Sequence, residues 1–247
     1  MRGGRVSSLV VDGTETIVGP VAADGTARGT LDWGVYPMVP FAGRVRDARF
    51  AFDGLSHELT ANGGRHALHG TVFESAWSVR DSDATSVVME VDLGRSWPFP
   101  GTVTHSVTLA ETSATFGLEV RAAADMPMQV GWHPWFAAPA QVQADFRAWL
   151  PRDADGMPGA PTPEGMPRLD TAVDDCFLGD GSPVRVRVRG VELTLTSDCR
   201  HWVVYTGAQH GVCAEPQSGP PNEFENAPVT LRSGESFSRW FRISWHA

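Results

Sequence analysis

The sequence predicts an all-β fold, a large and mostly antiparallel β-sandwich with few short helices. Three observations carry that expectation. Strand-length segments in which apolar and polar residues alternate recur from end to end of the 247-residue chain. Turn formers are abundant and spread out, with Gly 26 and Pro 18, as a fold of many short elements requires. No long segment carries the i, i+3, i+4, i+7 stripe of an amphipathic helix.

The elements follow in order. Arg49-Phe50-Ala51-Phe52 runs into Asp53-Gly54, a strong two-residue hairpin signal, and the strand pattern resumes at Leu55. In residues 102–109, Val103, His105, Val107 and Leu109 share one face. Glu111-Thr112-Ser113 then turns the chain into Phe116-Gly117-Leu118-Glu119-Val120. The stretch 151–167 is rich in proline, glycine and acid and reads as a long surface loop. Similar strand patterns flank it, so residues 1–247 are expected to form a single domain. Val184-Arg185-Val186-Arg187-Val188 alternates fully, turns at Arg189-Gly190 and returns through Val191 and Leu193. Valines in and arginines out describe a solvated sheet face better than a phosphate site.

Composition narrows the chemistry. A net charge of −9 without any basic run disfavours nucleic acid and anionic membranes as partners. All 20 basic residues are arginine, which excludes lysine Schiff-base chemistry and the P-loop lysine. Cys176, Cys199 and Cys213 show no CxxC spacing and read as small buried hydrophobes in a reducing compartment. No signal pattern opens the chain and no apolar run approaches membrane-span length, so a cytoplasmic protein is expected. GxSxG, GxGxxG and HExxH are absent.

Five polar residues sit in Gly/Pro-bounded or aromatic contexts that suggest strand ends: Arg44, His69, His133, Asp174 and Glu215. His133 stands in Gly131-Trp132-His133-Pro134-Trp135-Phe136, where the proline favours extended backbone and the imidazole suits proton transfer near neutral pH. Glu215 follows an apolar run and precedes Pro216, so the carboxylate is expected where a buried strand leaves the sheet, with its pKa raised by desolvation. His66 and His69 have chelating spacing, but no third ligand is near in sequence; no metal site is expected.

In order along the chain, these stretches resemble the aldose 1-epimerase (galactose mutarotase) family. The residues that carry the resemblance are Gly43-Arg44-Val45 through Asp53-Gly54, Asn62, Leu68-His69-Gly70, Trp97-Pro98-Phe99-Pro100-Gly101, the His133 stretch, Val173-Asp174-Asp175-Cys176-Phe177, Tyr205-Thr206-Gly207 and Glu215-Pro216-Gln217. The likeness is collinear over about residues 43–228. It departs at Gly43, where the family usually has asparagine, and at Pro220-Pro221-Asn222, which replaces a short acidic element.

The resemblance implies a β-supersandwich and catalysed exchange of sugar anomers without metal or cofactor. Glu215 would be the general base and His133 the general acid. Arg44, His69 and Asp174 would hold sugar hydroxyls, and Trp132 or Trp135 would offer an apolar face, a role that core packing explains equally well. The expected partner is a small-molecule sugar, and the assembly a monomer or homodimer. Three alternatives remain at this level: a hexose-6-phosphate 1-epimerase, which needs arginines converging on the site, a non-catalytic carbohydrate-binding protein on the same fold, and a metal-dependent β-sandwich enzyme using His66 and His69.

Overall fold

In the computed structural model, which describes residues 2–246, two antiparallel sheets pack face to face. The larger has eight strands, in the spatial order Ala140–Gln143, Val184–Val188, Val191–Ser197, Ser236–Trp245, Ser113–Ala122, Gly101–Ala110, Ser86–Asp92 and Ser78–Ser82. The smaller has six: Ala148–Leu150, Asp174–Leu178, His201–Tyr205, Gly211–Gln217, Gly131–Ala137 and Val35–Met38. Arg46–Ala48 and Glu223–Glu225, two short 3-10 turns, are the helical segments among the described residues. None of their helices is long and apolar enough to cross a membrane.

Local sequence explains the hairpins. Asp53 and Gly54 both take positive φ, 51° and 75°, and join Arg49–Phe52 to Leu55–Glu58 as the two-residue signal requires. Arg189 and Gly190 do the same at 50° and 94°. In that second hairpin Val184, Val186 and Val188 are buried and the arginines exposed, and Arg187 pairs across the strands with Glu192. The turn after the Gly101–Ala110 strand is tighter than expected: Ser113 already pairs with Ala110, leaving Glu111 and Thr112 as the turn. Leu109 has run past the core and is exposed.

Between the sheets the core is aliphatic and aromatic, with Trp132, Phe136, Phe116, Phe241 and Ile243 almost fully buried. Trp132 and Trp202 of the smaller sheet meet Phe241 of the larger, at ring separations of 6.0 and 6.4 Å. A polar pair is sealed into this interface. His105 holds the Gly4 carbonyl through Nδ1 at 2.8 Å and accepts the Trp132 indole N–H through Nε2 at 3.3 Å. Both ring nitrogens are thereby occupied by the neutral tautomer that donates from Nδ1, which is how a buried imidazole avoids an unmet polar group. Burial pulls its pKa down to about 4. The three cysteines are free and buried, as small core residues.

That histidine sets a pH dependence for the fold. Its folded pKa lies below its unfolded value, so between about pH 6.5 and 4 only the unfolded chain takes up the proton, and stability falls as pH falls. His105 alone is expected to remove roughly 1.4 kcal/mol per pH unit across that window. Urea denaturation at several pH values checks this: the slope of stability against pH should flatten by about that amount in His105→Gln, and an unchanged slope would contradict it.

Candidate active site

The site is built on one row of residues across the smaller sheet. Cys176 pairs with Val203, Val203 with Glu215, and His133 with Tyr36. Gly131 pairs with Gln217 and Trp135 with Cys213, so His133 stands directly opposite Glu215 on the neighbouring strand. The ladder lapses between those two pairs, where Pro134 and Pro216 have no N–H to give. Directly opposed residues share a face and their side chains meet. The row therefore projects on the side turned away from the eight-stranded sheet.

On that face His133 Nε2 lies 3.2 Å from Glu215 Oε1. The other carboxyl oxygen, Oε2, accepts from Gln217 Nε2 at 3.3 Å. Tyr36 stacks on the His133 ring at 4.8 Å, and His69 meets it edge-on at 4.8 Å. The exposures of His133 and Glu215 are 6% and 2%. His69 Nδ1 and Gln217 Oε1, both buried, have no protein partner, so the cluster has hydrogen-bonding capacity to offer a polyhydroxylated ligand.

Two glycines shape the wall. Gly70 has φ +80°, and a Cβ there would lie 2.1 Å from the Val39 carbonyl oxygen. Only glycine lets the chain pass that close and turn His69, itself at φ 61°, toward His133. Gly43 has φ +68°, and a Cβ there would lie 2.6 Å from Pro221 Cβ. The two departures from the family pattern therefore touch, and Pro221 occupies the space a side chain at 43 would need. Asn222, one residue on, donates its backbone N–H to the Arg44 carbonyl at 2.7 Å and accepts the Arg46 N–H at 2.9 Å. Beneath this corner, Phe41, Phe50, Trp97, Phe99 and Phe224 pack as an aromatic cluster.

Burial dominates the electrostatics. It raises the Glu215 pKa well above the usual carboxylate range, with the charge of Asp174 adding to the effect. Gln217 and Arg44 oppose the rise. Burial also holds the His133 pKa well below its ordinary value, helped by His69 and Arg5. Arg5 acts from behind Tyr36, its guanidinium 4.7 Å from that ring. Burial, then Arg44, pulls His69 down to about 3. Both shifts disfavour the charged forms, so burial favours a neutral acid beside a neutral imidazole over an ion pair.

Arg44, Asp174 and the 151–167 loop form the rim. Asp174 Oδ2 is 2.7 Å from Arg152 Nη1 and 3.8 Å from Arg44 Nη2. A space of about 20 Å³ remains among Arg44, Arg152, Pro158, Cys176, Val203 and Pro221, room for about one water. A cavity of about 800 Å³ elsewhere is lined by Gln141, Arg187, Arg189 and Thr206 among others and contains no candidate residue. Opposed proton affinities in one cluster locate a reactive site better than volume does.

Of the seven sequence candidates, six gather here: His133, Glu215, His69 and Trp135 around the pair, Arg44 and Asp174 at the rim. Trp132 does not. It lies on the opposite face of its strand, buried against Phe241 and bonded to His105, so core packing accounts for it. Trp135 shares the His133 face at a ring separation of 5.4 Å. A second correction concerns strand position. Arg44, His69 and Asp174 do sit at strand ends, but His133 and Glu215 are interior to theirs, because proline's preference for extended backbone is compatible with a strand where the ladder lapses. Alternation from Glu215 would have found Gln217; Arg5, Tyr36 and Arg152 left no local signal.

The residues suited to a metal ion among those described are His133, Cys213 and Glu215, whose ligand atoms lie within 4.8 Å of one another. Without a metal, burial pushes the Cys213 thiol well above its usual pKa. His66 turns elsewhere, its Nδ1 accepting the Asp47 N–H at 3.0 Å.

The sequence profile described as Aldose 1-epimerase matches residues 1–244. The uncharacterized protein YphB of Escherichia coli (strain K12) is 29% identical over 154 residues, 58% of this chain and 52% of YphB, so that match spans about half the relative. YihR of the same organism, also uncharacterized, is 24% identical over 239 residues, 83% of this chain and 77% of YihR. Among solved structures, an Escherichia coli K12 protein provisionally assigned as an aldose 1-epimerase gives a TM-score of 0.84 at 22% identity, covering 99% of this chain and 94% of that one. Galactose 1-epimerase from Lactobacillus acidophilus NCFM gives 0.77 at 18%, covering 99% and 89%. At these identities the structural likeness concerns the fold.

The contact between Gly43 and Pro221 yields a test of the wall. Gly43→Ala should destabilise the protein by about 1–3 kcal/mol, through overpacking and a positive φ. Pro221→Gly in the same chain should recover part of the loss. Thermal melts of the two single variants and the double variant measure the coupling; strictly additive losses would mean the residues do not press on each other.

Proposed function

The chain belongs to the aldose 1-epimerase family, and from that premise we propose that it interconverts the α and β anomers of a free, uncharged aldose. The observation that carries this reading is the buried carboxyl–imidazole pair, joined at 3.2 Å. Mutarotation needs one group to take a proton from the anomeric hydroxyl and another to give one to the ring oxygen. Both oxygens are bonded to the same carbon, so an acid and a base side by side on one sheet face suit them better than a pair spread across the ring.

As the sugar enters, its anomeric hydroxyl donates to the Glu215 carboxylate and compensates that charge, and the resting proton crosses to His133. Glu215 then removes the hydroxyl proton while His133 protonates the ring oxygen. The bond from the anomeric carbon to the ring oxygen breaks, and a carbonyl forms in the open chain. Rotation about the C1–C2 bond and reclosure from the other face give the second anomer, with the two residues exchanging roles. Proton count and charge balance at each stage, and each positioned group contributes ~10²–10⁴-fold.

His69, Arg44, Asp174 and Gln217 would orient hydroxyls, and Trp135 would shield one side. A phosphorylated sugar fits less well. The two rim arginines, Arg44 and Arg152, are matched in number by the carboxylates of Asp174 and Asp175, so a phosphate dianion would meet no net positive charge at the rim.

Glu215→Gln is isosteric and should lower catalysed anomer exchange by at least about 10³-fold in an NMR exchange assay, with an unchanged melting temperature. Wild-type rates in that variant would remove Glu215 from the reaction. In the wild type, the active pair needs one proton in total. Glu215 surrenders it only above the usual carboxylate range, and His133 accepts a second only below the usual imidazole range. The acid limb of the kcat/KM profile, where His133 takes up a second proton, should therefore lie below about pH 6.5, the region where an ordinary histidine titrates. An acid limb at or above that pH would contradict the pairing.

A further inference from the structure

We propose that Arg152, carried on the 151–167 loop, is a positioning residue for the sugar: by clamping Asp174 and Asp175 it leaves the Arg44 guanidinium free to meet substrate. The proposal rests on the mutarotase reading and assigns to this loop a function that its composition does not disclose.

The geometry is specific. Arg152 Nη1 lies 2.7 Å from Asp174 Oδ2 and Arg152 Nε lies 3.1 Å from Asp175 Oδ1, so one guanidinium bridges two consecutive carboxylates. Arg44 approaches the same Asp174 oxygen only to 3.8 Å, beyond hydrogen-bond distance. Both arginines border the small space beside Val203, whose strand neighbour is Glu215. A planar guanidinium with several fixed donors can satisfy two carboxylates at once, whereas a lysine ammonium acts as a point charge. With Asp174 held by Arg152, the donors of Arg44 remain available for sugar hydroxyls. Without that clamp, Asp174 is free to close on Arg44 and occupy them.

The loop is itself anchored where it carries Arg152. Arg46 binds Asp153 and Asp155 at 2.7 Å each, and Arg65 reaches Asp155 at 2.7 Å. Met157 is buried beneath it. These partly exposed ion pairs hold the segment that carries Arg152 against the rim.

The experiment compares wild type, Arg152→Ala and Arg152→Lys by steady-state anomer exchange and by calorimetric titration, both across a panel of free aldoses. Loss of a charge-assisted contact to the substrate should raise KM and Kd about tenfold in Arg152→Ala, with kcat within about threefold of wild type. Arg152→Lys should recover part of the affinity. Unchanged KM and Kd in a folded Arg152→Ala protein would overturn the proposal, as would a lysine variant no better than alanine. Wild-type sugar binding without accelerated exchange would sink the mutarotase reading alone, and the comparison of Kd values would still decide on Arg152. Neither binding nor exchange by the wild type would sink both.

Discussion

The structure depends on one cross-strand juxtaposition. His133 and Glu215 come from parts of the chain 82 positions apart in the printed numbering, yet the register of two central strands sets them opposite each other. Sheet geometry then does what no local segment can: it fixes two ionisable side chains on one face at hydrogen-bond range. Each strand carries a proline at this level, which removes ladder bonds where the side chains meet. The cost is carried by the strands on either side, since Glu215 is paired with Val203 and His133 with Tyr36. A site on central strands is held more firmly than one on loops, and positioned acid–base chemistry profits from that rigidity.

Burial then gives the pair its character. Neither group is charged easily where it stands, so the two share one proton as a neutral pair instead of forming a salt bridge in a dry environment. The surroundings are tuned to the same end: Tyr36 and Trp135 exclude water, His69 stays neutral, and Asp174 adds negative charge on the carboxyl side while Arg5 adds positive charge on the imidazole side. Titratable partners with proton affinities displaced in opposite directions are the usual basis of acid–base assignment.

Some of this was legible in the sequence. The hairpins at 53–54 and 189–190 were, because turn chemistry is local and both central residues of each take positive φ. Glu215 and His133 were also legible as candidates, though not their place inside strands, because a proline directly after a residue gives no local sign that the strand runs on. The choice between Trp132 and Trp135 depended on strand parity: residues two apart share a face and neighbours do not, so only Trp135 sits with His133. The departures at Gly43 and Pro221 were visible singly, while their contact was not, because it joins segments far apart in the chain. Arg152 was hidden for the same reason: an ion pair closing from a loop leaves no periodic trace.

The central claim is that Glu215 and His133 form a buried pair holding one proton, and nitrogen and carbon NMR of the substrate-free protein tests it most directly. With labelled histidine and glutamate, at about pH 5.5, between the ordinary values of the two groups, the imidazole shifts of His133 should report a neutral ring and the Glu215 carboxyl carbon the protonated acid. An imidazolium ring beside an ionised carboxylate at that pH in the substrate-free protein would contradict the account.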